Sequence, residues 1–178
     1  MDRVSSQVLY AVTGIVLARV LSPADFGLVG AILIFQAFAS LLVDSGFSHA
    51  LLQRKSPTRL DYSTILWFNM SVSLILYVSL FFSAPLIARC FDNDLRLVPL
   101  SRTMFLALPI NASAIVQTNI LMKRMDVRPI AIANTGGLVL AGITGIWLAL
   151  KGFGAWAIVW QTLILASVKS LTLWIIGR

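Results

Sequence analysis

Six runs of apolar residues, each about as long as a bilayer core is thick, fill this sequence and are parted only by short polar stretches. They lie at roughly 4–21, 26–43, 60–87, 98–121, 129–150 and 153–176. A chain of 178 residues that is 58% hydrophobic and 12% charged, with a mean hydropathy of +0.89, cannot hide all six in a soluble core. Too much of a small domain stays at its surface, so lipid is the solvent these runs require. Transmembrane strands would alternate with a period of two, which 143–150 and 155–166 do not. The expected fold is all-α, a polytopic membrane protein in which residues 1–178 form one six-helix bundle. The third run is long enough to tilt or to project beyond the hydrocarbon.

Local chemistry supports the divisions. Ser22-Pro23-Ala24-Asp25 sets a hydroxyl at an N-cap, proline at the first helical position and a carboxylate at the positive end of the helix dipole. Ser56-Pro57 repeats the signal, Pro129 opens the fifth run, and Gly152 with Gly154 separates the fifth from the sixth. The first run has no basic flank or small-residue cleavage site and reads as a retained helix, not a signal peptide. Placing the N-terminus in the cytoplasm puts nine basic residues inside: Arg3, Arg54, Lys55, Arg59, Lys123, Arg124, Arg128, Lys169 and Arg178. Five fall outside, namely Arg19, Arg89, Arg96, Arg102 and Lys151, so both termini are expected in the cytoplasm. Trp67, Trp147, Trp156, Trp160 and Trp174 fall mostly near run ends, as interfacial belts require.

Several function classes drop out. The formal charge of +7 comes from cations scattered among apolar runs, not from a patch that could hold nucleic acid. Cys90 and His49 are the sole cysteine and histidine, so no zinc cage of those residues and no intrachain disulfide can form. Asp44, Ser48 and His49 lie on one short segment with no nucleophile elbow, and Gly136-Gly137 lies inside an apolar run without the lysine of a phosphate loop. Neither an enzyme nor a cofactor or metal protein is expected.

The stretch Ile15-Val16-Leu17-Ala18-Arg19-Val20-Leu21-Ser22-Pro23-Ala24-Asp25-Phe26-Gly27-Leu28-Val29-Gly30 resembles the opening of polysaccharide and O-antigen flippases. Asp44-Ser45-Gly46-Phe47-Ser48-His49-Ala50-Leu51-Leu52-Gln53-Arg54-Lys55 is similar to a block at the inner end of their second helix. Leu66-Trp67-Phe68-Asn69, Ala84-Pro85-Leu86-Ile87-Ala88 and Gly152-Phe153-Gly154-Ala155-Trp156-Ala157 extend the likeness along nearly the whole chain. That family belongs to the multidrug/oligosaccharidyl-lipid/polysaccharide exporter superfamily, whose members carry two six-helix lobes around a central cavity. The resemblance implies an N-terminal lobe, cut after its sixth helix and short of a basic lead-in. It also implies a bacterial inner-membrane exporter of polyprenyl-diphosphate-linked oligosaccharide, working by alternating access with a second lobe or a second copy. A non-transporting assembly subunit, an inactive fragment and a drug/cation antiporter stand as alternatives.

Against that background Arg19 has two readings, a snorkelling side chain at the outer surface or a cavity residue whose planar fork grips a diphosphate. Arg54 and Lys55 either receive the diphosphate from the cytoplasmic leaflet or set topology and touch anionic lipid. Asp25 is a gate partner for Arg19 or a first-turn carboxylate, and Asp44 is an inner latch to Arg54, Lys55 or Arg3 or a loop carboxylate. The fourth run is the most polar. Its Pro109 should leave the Phe105 carbonyl free and kink the helix into a hinge. Asn111 and Gln117 are candidate substrate contacts; six residues apart, they cannot share a narrow face, so at most one set lines a cavity, and hydrogen bonds between helices are the other reading. Ala133, Gly137, Ala141 and Gly145 form a small-residue stripe that lets another helix approach closely, most simply one from the same chain.

Overall fold

The computed structural model describes residues 2–43, 59–91, 94–123 and 128–176, with their side chains except at 2–5 and 59. These residues form α1 (Asp2–Val20), α2 (Pro23–Val43), α3 (Arg59–Cys90), α4 (Leu97–Phe105), α5 (Ala107–Lys123), α6 (Arg128–Leu150) and α7 (Trp156–Ile176), with no strand among them. Five spans are long and apolar enough to cross a membrane: α2, α3, α4 together with α5, α6 and α7. The apolar part of α1, Ser6–Val20, is shorter. The chain is an all-α polytopic membrane protein.

Helix ends depart from the apolar runs where polar chemistry sets them. α2 starts at Pro23, not Phe26, because its first turn is capped: the Asp25 N–H donates to Ser22 Oγ at 3.2 Å and the Ser22 hydroxyl donates to Asp25 Oδ2 at 2.7 Å. α7 starts at Trp156, not Phe153, because Gly152 and Gly154 hold φ of 81° and 56°, a left-handed backbone that suits glycine. The fourth run breaks at Leu106. Pro109 offers no N–H to the Phe105 carbonyl, and the Leu106 N–H turns back to the Thr103 carbonyl at 3.2 Å, giving two helices in place of one.

A second proline has a partner in another helix. Pro85 lies inside α3 and withholds a donor from the Phe81 carbonyl, four residues earlier. Arg102 of α4 supplies it, its Nε donating to that oxygen at 3.3 Å while the guanidinium lies 4.3 Å from the centre of the Phe81 ring. One cation thereby joins α3 to α4 through a backbone group that apolar surroundings would otherwise leave bare.

α6 and α7 form the centre of the bundle, α1 packs on α6, and α5 packs on both α7 and α3. Ser6 meets Thr135 and Thr13 meets Gly142, equal steps along both helices, so α1 and α6 run parallel. Gly137 meets Leu165 and Gly145 meets Gln161, which makes α6 and α7 antiparallel. A Cβ on Gly137 would sit 3.1 Å from Leu165 Cδ1, and one on Gly145 would sit 3.0 Å from Gln161 Oε1. The small-residue stripe of α6 therefore admits α7, an intramolecular partner. α2 leaves α1 directly after the Ser22 turn and packs instead on α3, α4 and α5.

Many of the buried residues are small, and many large apolar ones lie outside. Ala31, Ala84, Ala107, Ala141 and Ala157 are buried, whereas Phe38, Leu41, Phe82, Ile143 and Ile175 are exposed. Lipid tails are as apolar as a protein core, so association here rests on close backbone approach more than on burial of greasy side chains. The largest apolar cluster joins Ile32 of α2, Ala88 of α3, Leu97, Met104 and Phe105 of α4, Leu108 of α5 and Val159 of α7. All belong to the half of the bundle nearest the α1–α2 turn, termed here the far end; the end at Asp2 and Ile176 is the near end.

Candidate functional site

The near half holds a cavity of about 800 Å³ between α1, α5, α6 and α7. α1 contributes Ser6, Gln7 and Tyr10, and α5 contributes Asn111 and Met122. Ile130, Ala131, Asn134 and Leu138 come from α6; Thr162, Leu165, Ala166 and Lys169 come from α7. Hydroxyls, carboxamides and one ammonium thus share the wall with aliphatic groups, a mixture suited to a ligand with both polar edges and apolar faces. The described lining contains no carboxylate.

Neighbouring contacts fix the wall. Ser6 Oγ lies 3.5 Å from Thr135 Oγ1, linking α1 to α6. The Thr162 hydroxyl donates to the Ile158 carbonyl at 2.9 Å, which leaves its oxygen lone pairs for a ligand. Between α5 and α7, Ser113 Oγ donates to the Ile110 carbonyl at 2.7 Å and lies 2.8 Å from Ser170 Oγ, so Ser170 is the donor of that pair. Trp174 Nε1 donates to the Ser113 carbonyl at 3.2 Å and closes the same joint. Lys169 has a contact of its own.

The residues singled out from sequence separate in space. Asn111 lies on the cavity wall, and Gln117 lies elsewhere on α5, buried, with its Oε1 unpartnered among the described residues. The two do face different ways, as their spacing predicts. Arg19 is exposed in the last turn of α1, where a cation complements the helix dipole, roughly 14 Å along the axis from Tyr10 and away from the cavity lining. No ion pair joins it to Asp25, whose carboxylate caps α2 and lies over Gly154, where a Cβ would be 3.0 Å from Oδ1. Pro109 marks the α4–α5 break. Arg54, Lys55 and Asp44 lie outside the described residues, as does His49.

Sequence reasoning missed Tyr10, Asn134, Thr162 and Lys169 as a group. A signal was there to read: Ser6, Gln7, Tyr10 and Thr13 share one face of α1, and Thr162 and Lys169, seven apart, share one face of α7. It also missed Asn69 of α3, fully buried with Oδ1 and Nδ2 both unpartnered among the described residues.

Comparison with known proteins bears on what this architecture serves. The model of a family described as polysaccharide biosynthesis protein matches residues 16–178. The succinoglycan biosynthesis transport protein ExoT of Rhizobium meliloti is 28% identical over 94% of this chain and 34% of its own length. The lipopolysaccharide biosynthesis protein WzxC of Escherichia coli is 30% identical over 72% of this chain and 26% of its own. The teichuronic acid biosynthesis protein TuaB of Bacillus subtilis is 37% identical over 41% of this chain and 16% of its own. The chain thus spans about a third or less of the length of these relatives. No solved structure matches it. With a family match that takes in α2 to α7 and the last turn of α1, the chain belongs to the polysaccharide biosynthesis protein family.

Proposed function

We propose that this chain is one six-helix lobe of a flippase that carries polyprenyl-diphosphate-linked oligosaccharide across the bacterial inner membrane. The observation that carries the reading is a cavity of about 800 Å³ among membrane helices, with a wall that mixes polar side chains with aliphatic ones. Membrane helices tolerate such polar walls where they face water or a ligand. The relatives named for succinoglycan transport, lipopolysaccharide and teichuronic acid supply the substrate class. Both termini face the cytoplasm in this reading, so the near-end cavity receives the head group from the inner leaflet while the lipid tail stays in the bilayer.

The lobe works by alternating access. Arg54 and Lys55 meet the diphosphate at the cytoplasmic surface, and Arg19 meets it at the outer surface. Asn111 belongs to the passage between them. The break at Leu106 is the hinge, and the contact of Asp25 with Gly154 closes the outer end. A second lobe, from the same protein or from a second copy, completes the passage. Gln117 adjusts the passage from within α5.

The test is leaflet translocation of a fluorescent polyprenyl-diphosphate oligosaccharide in proteoliposomes holding this chain, its Arg19→Ala variant or no protein. Movement above the empty vesicles that falls at least several-fold in Arg19→Ala supports the proposal. An inserted, helical chain that moves no lipid on its own, yet binds a larger partner stably, makes it an assembly piece. That second reading draws on the short span of the relatives that this chain covers. The absence of carboxylates from the described lining weighs against cation coupling inside the cavity.

A further inference from the structure

The cavity's chemistry distinguishes between the two halves of a lipid-linked sugar. A diphosphate in a low-dielectric site needs several cations, preferably guanidinium forks, to offset its desolvation. The described lining holds one cation, Lys169, which already has a contact of its own. The rest of its polar groups are neutral: hydroxyls at Ser6, Tyr10 and Thr162 and carboxamides at Gln7, Asn111 and Asn134. Neutral groups that both donate and accept match the hydroxyl and ring oxygens of a sugar. Aliphatic neighbours and the Tyr10 ring can cover its C–H faces. The volume, about 800 Å³, is that of a site for a small ligand and not of a whole polymer.

We infer that this cavity is a glycan subsite, holding sugar next to the diphosphate while the diphosphate itself is held outside it. The inference rests on the flippase reading and sharpens it. All the groups named come from α1, α5, α6 and α7, so a single copy of this chain supplies them. Asn111 and Asn134 read hydroxyl positions from facing walls, and Thr162 accepts a hydroxyl proton through its free lone pairs.

Thiol protection in lipid nanodiscs tests this. Cys90, exposed and outside the cavity lining, is replaced by serine, and Ala131→Cys, or Leu138→Cys as a second reporter, in the wall but outside the proposed sugar contacts, is labelled with a small maleimide. The three probes are a polyprenyl-diphosphate oligosaccharide, the same polyprenyl diphosphate without sugar, and inorganic diphosphate. The expected result is at least a threefold slowing of labelling by the glycan-bearing lipid and none by the other two, with the slowing lost when Asn111→Leu is added. Equal protection by sugar-free polyprenyl diphosphate assigns the cavity to the diphosphate and overturns the subsite, while the flippase reading stands. Absence of protection in a chain that still translocates the lipid removes the cavity from the substrate path and also overturns it. Absence of both protection and translocation, with labelling and helicity intact, defeats the flippase reading together with the subsite.

Discussion

The two ends of the bundle are built differently. At the far end α2, α3, α4 and α7 close around Ile32, Met104, Phe105 and Val159, all fully buried, and Arg102 binds α3 to α4. At the near end α1 and α5 stand on either side of α6 and α7, and a cavity with seven polar side chains lies among them. A smaller cluster around Leu121, Ala133 and Leu173 is what holds that end's floor. The fold thus concentrates its shape-specific packing at one end and its hydrogen-bonding capacity at the other. On the proposed function, the first end carries stability and the second ligand contact.

Crowding the helix contact that supports the packed end should have the largest effect. Gly145→Leu drives a side chain into Gln161, whose Cβ already lies 3.1 Å from the position of a Gly145 Cβ, and should destabilise the bundle by about 3 kcal/mol. Gly136→Leu, one side of the stripe away, meets nothing within 4 Å and should change stability by less than about 0.5 kcal/mol. Unfolding in mixed micelles, followed by loss of helical circular dichroism, measures both. Equal losses would show that α6 and α7 do not approach through the stripe.

Hollowing out the far core comes next. Phe105→Ala should cost about 2 kcal/mol, the packing part of a core truncation, because lipid supplies little of the transfer part. Asn134→Ala in the cavity wall should stay within about 0.5 kcal/mol while lowering ligand binding. A cavity variant that destabilises as much as the core variant would erase the distinction between the ends.

The smallest expected effect is also the most particular. Arg102→Ala strips the Phe81 carbonyl of its donor and should cost about 1–2 kcal/mol. Pro85→Ala returns a backbone N–H to that carbonyl, so most of the Arg102→Ala loss should vanish in the double variant. Additive losses in a double-mutant cycle would mean that Arg102 stabilises the bundle by stacking on Phe81 alone.

What could be read from sequence follows the range of the forces involved. The Ser22–Asp25 cap, the break before Pro109 and the Gly152–Gly154 turn depend on neighbours a few residues away, and each is written in its own segment. Five of the six apolar runs fall on helices long and apolar enough to span, because bilayer thickness acts on each run separately, and the first gives the shorter apolar helix Ser6–Val20. The stripe from Ala133 to Gly145 was legible because smallness at every fourth residue has few other uses in a membrane helix. The role of Arg102 was not, since it answers a proline on another helix, 17 positions earlier in the chain. Asn111 stood out as polar in an apolar run, but Tyr10 of α1 and Thr162 and Lys169 of α7 join it on one cavity only through the rotation of α1, α5 and α7 about their axes. That rotation rests on small contacts such as Thr13 against Gly142; periodicity marks a polar face on α1 but does not say which helix it turns toward.

The contrast between the ends is tested most directly by thiol accessibility. In a Cys90→Ser background, single cysteines at Thr162 and Asn134 in the cavity, and at Ser101 and Leu108 in the packed end, would be exposed to a membrane-impermeant maleimide on the near side of oriented vesicles. The account predicts labelling of the first pair at rates within about tenfold of an exposed loop thiol and no measurable labelling of the second, Ser101 and Leu108 being 0% and 2% exposed. Labelling of Ser101→Cys or Leu108→Cys with Thr162→Cys and Asn134→Cys silent would place the water-filled region at the other end and contradict it.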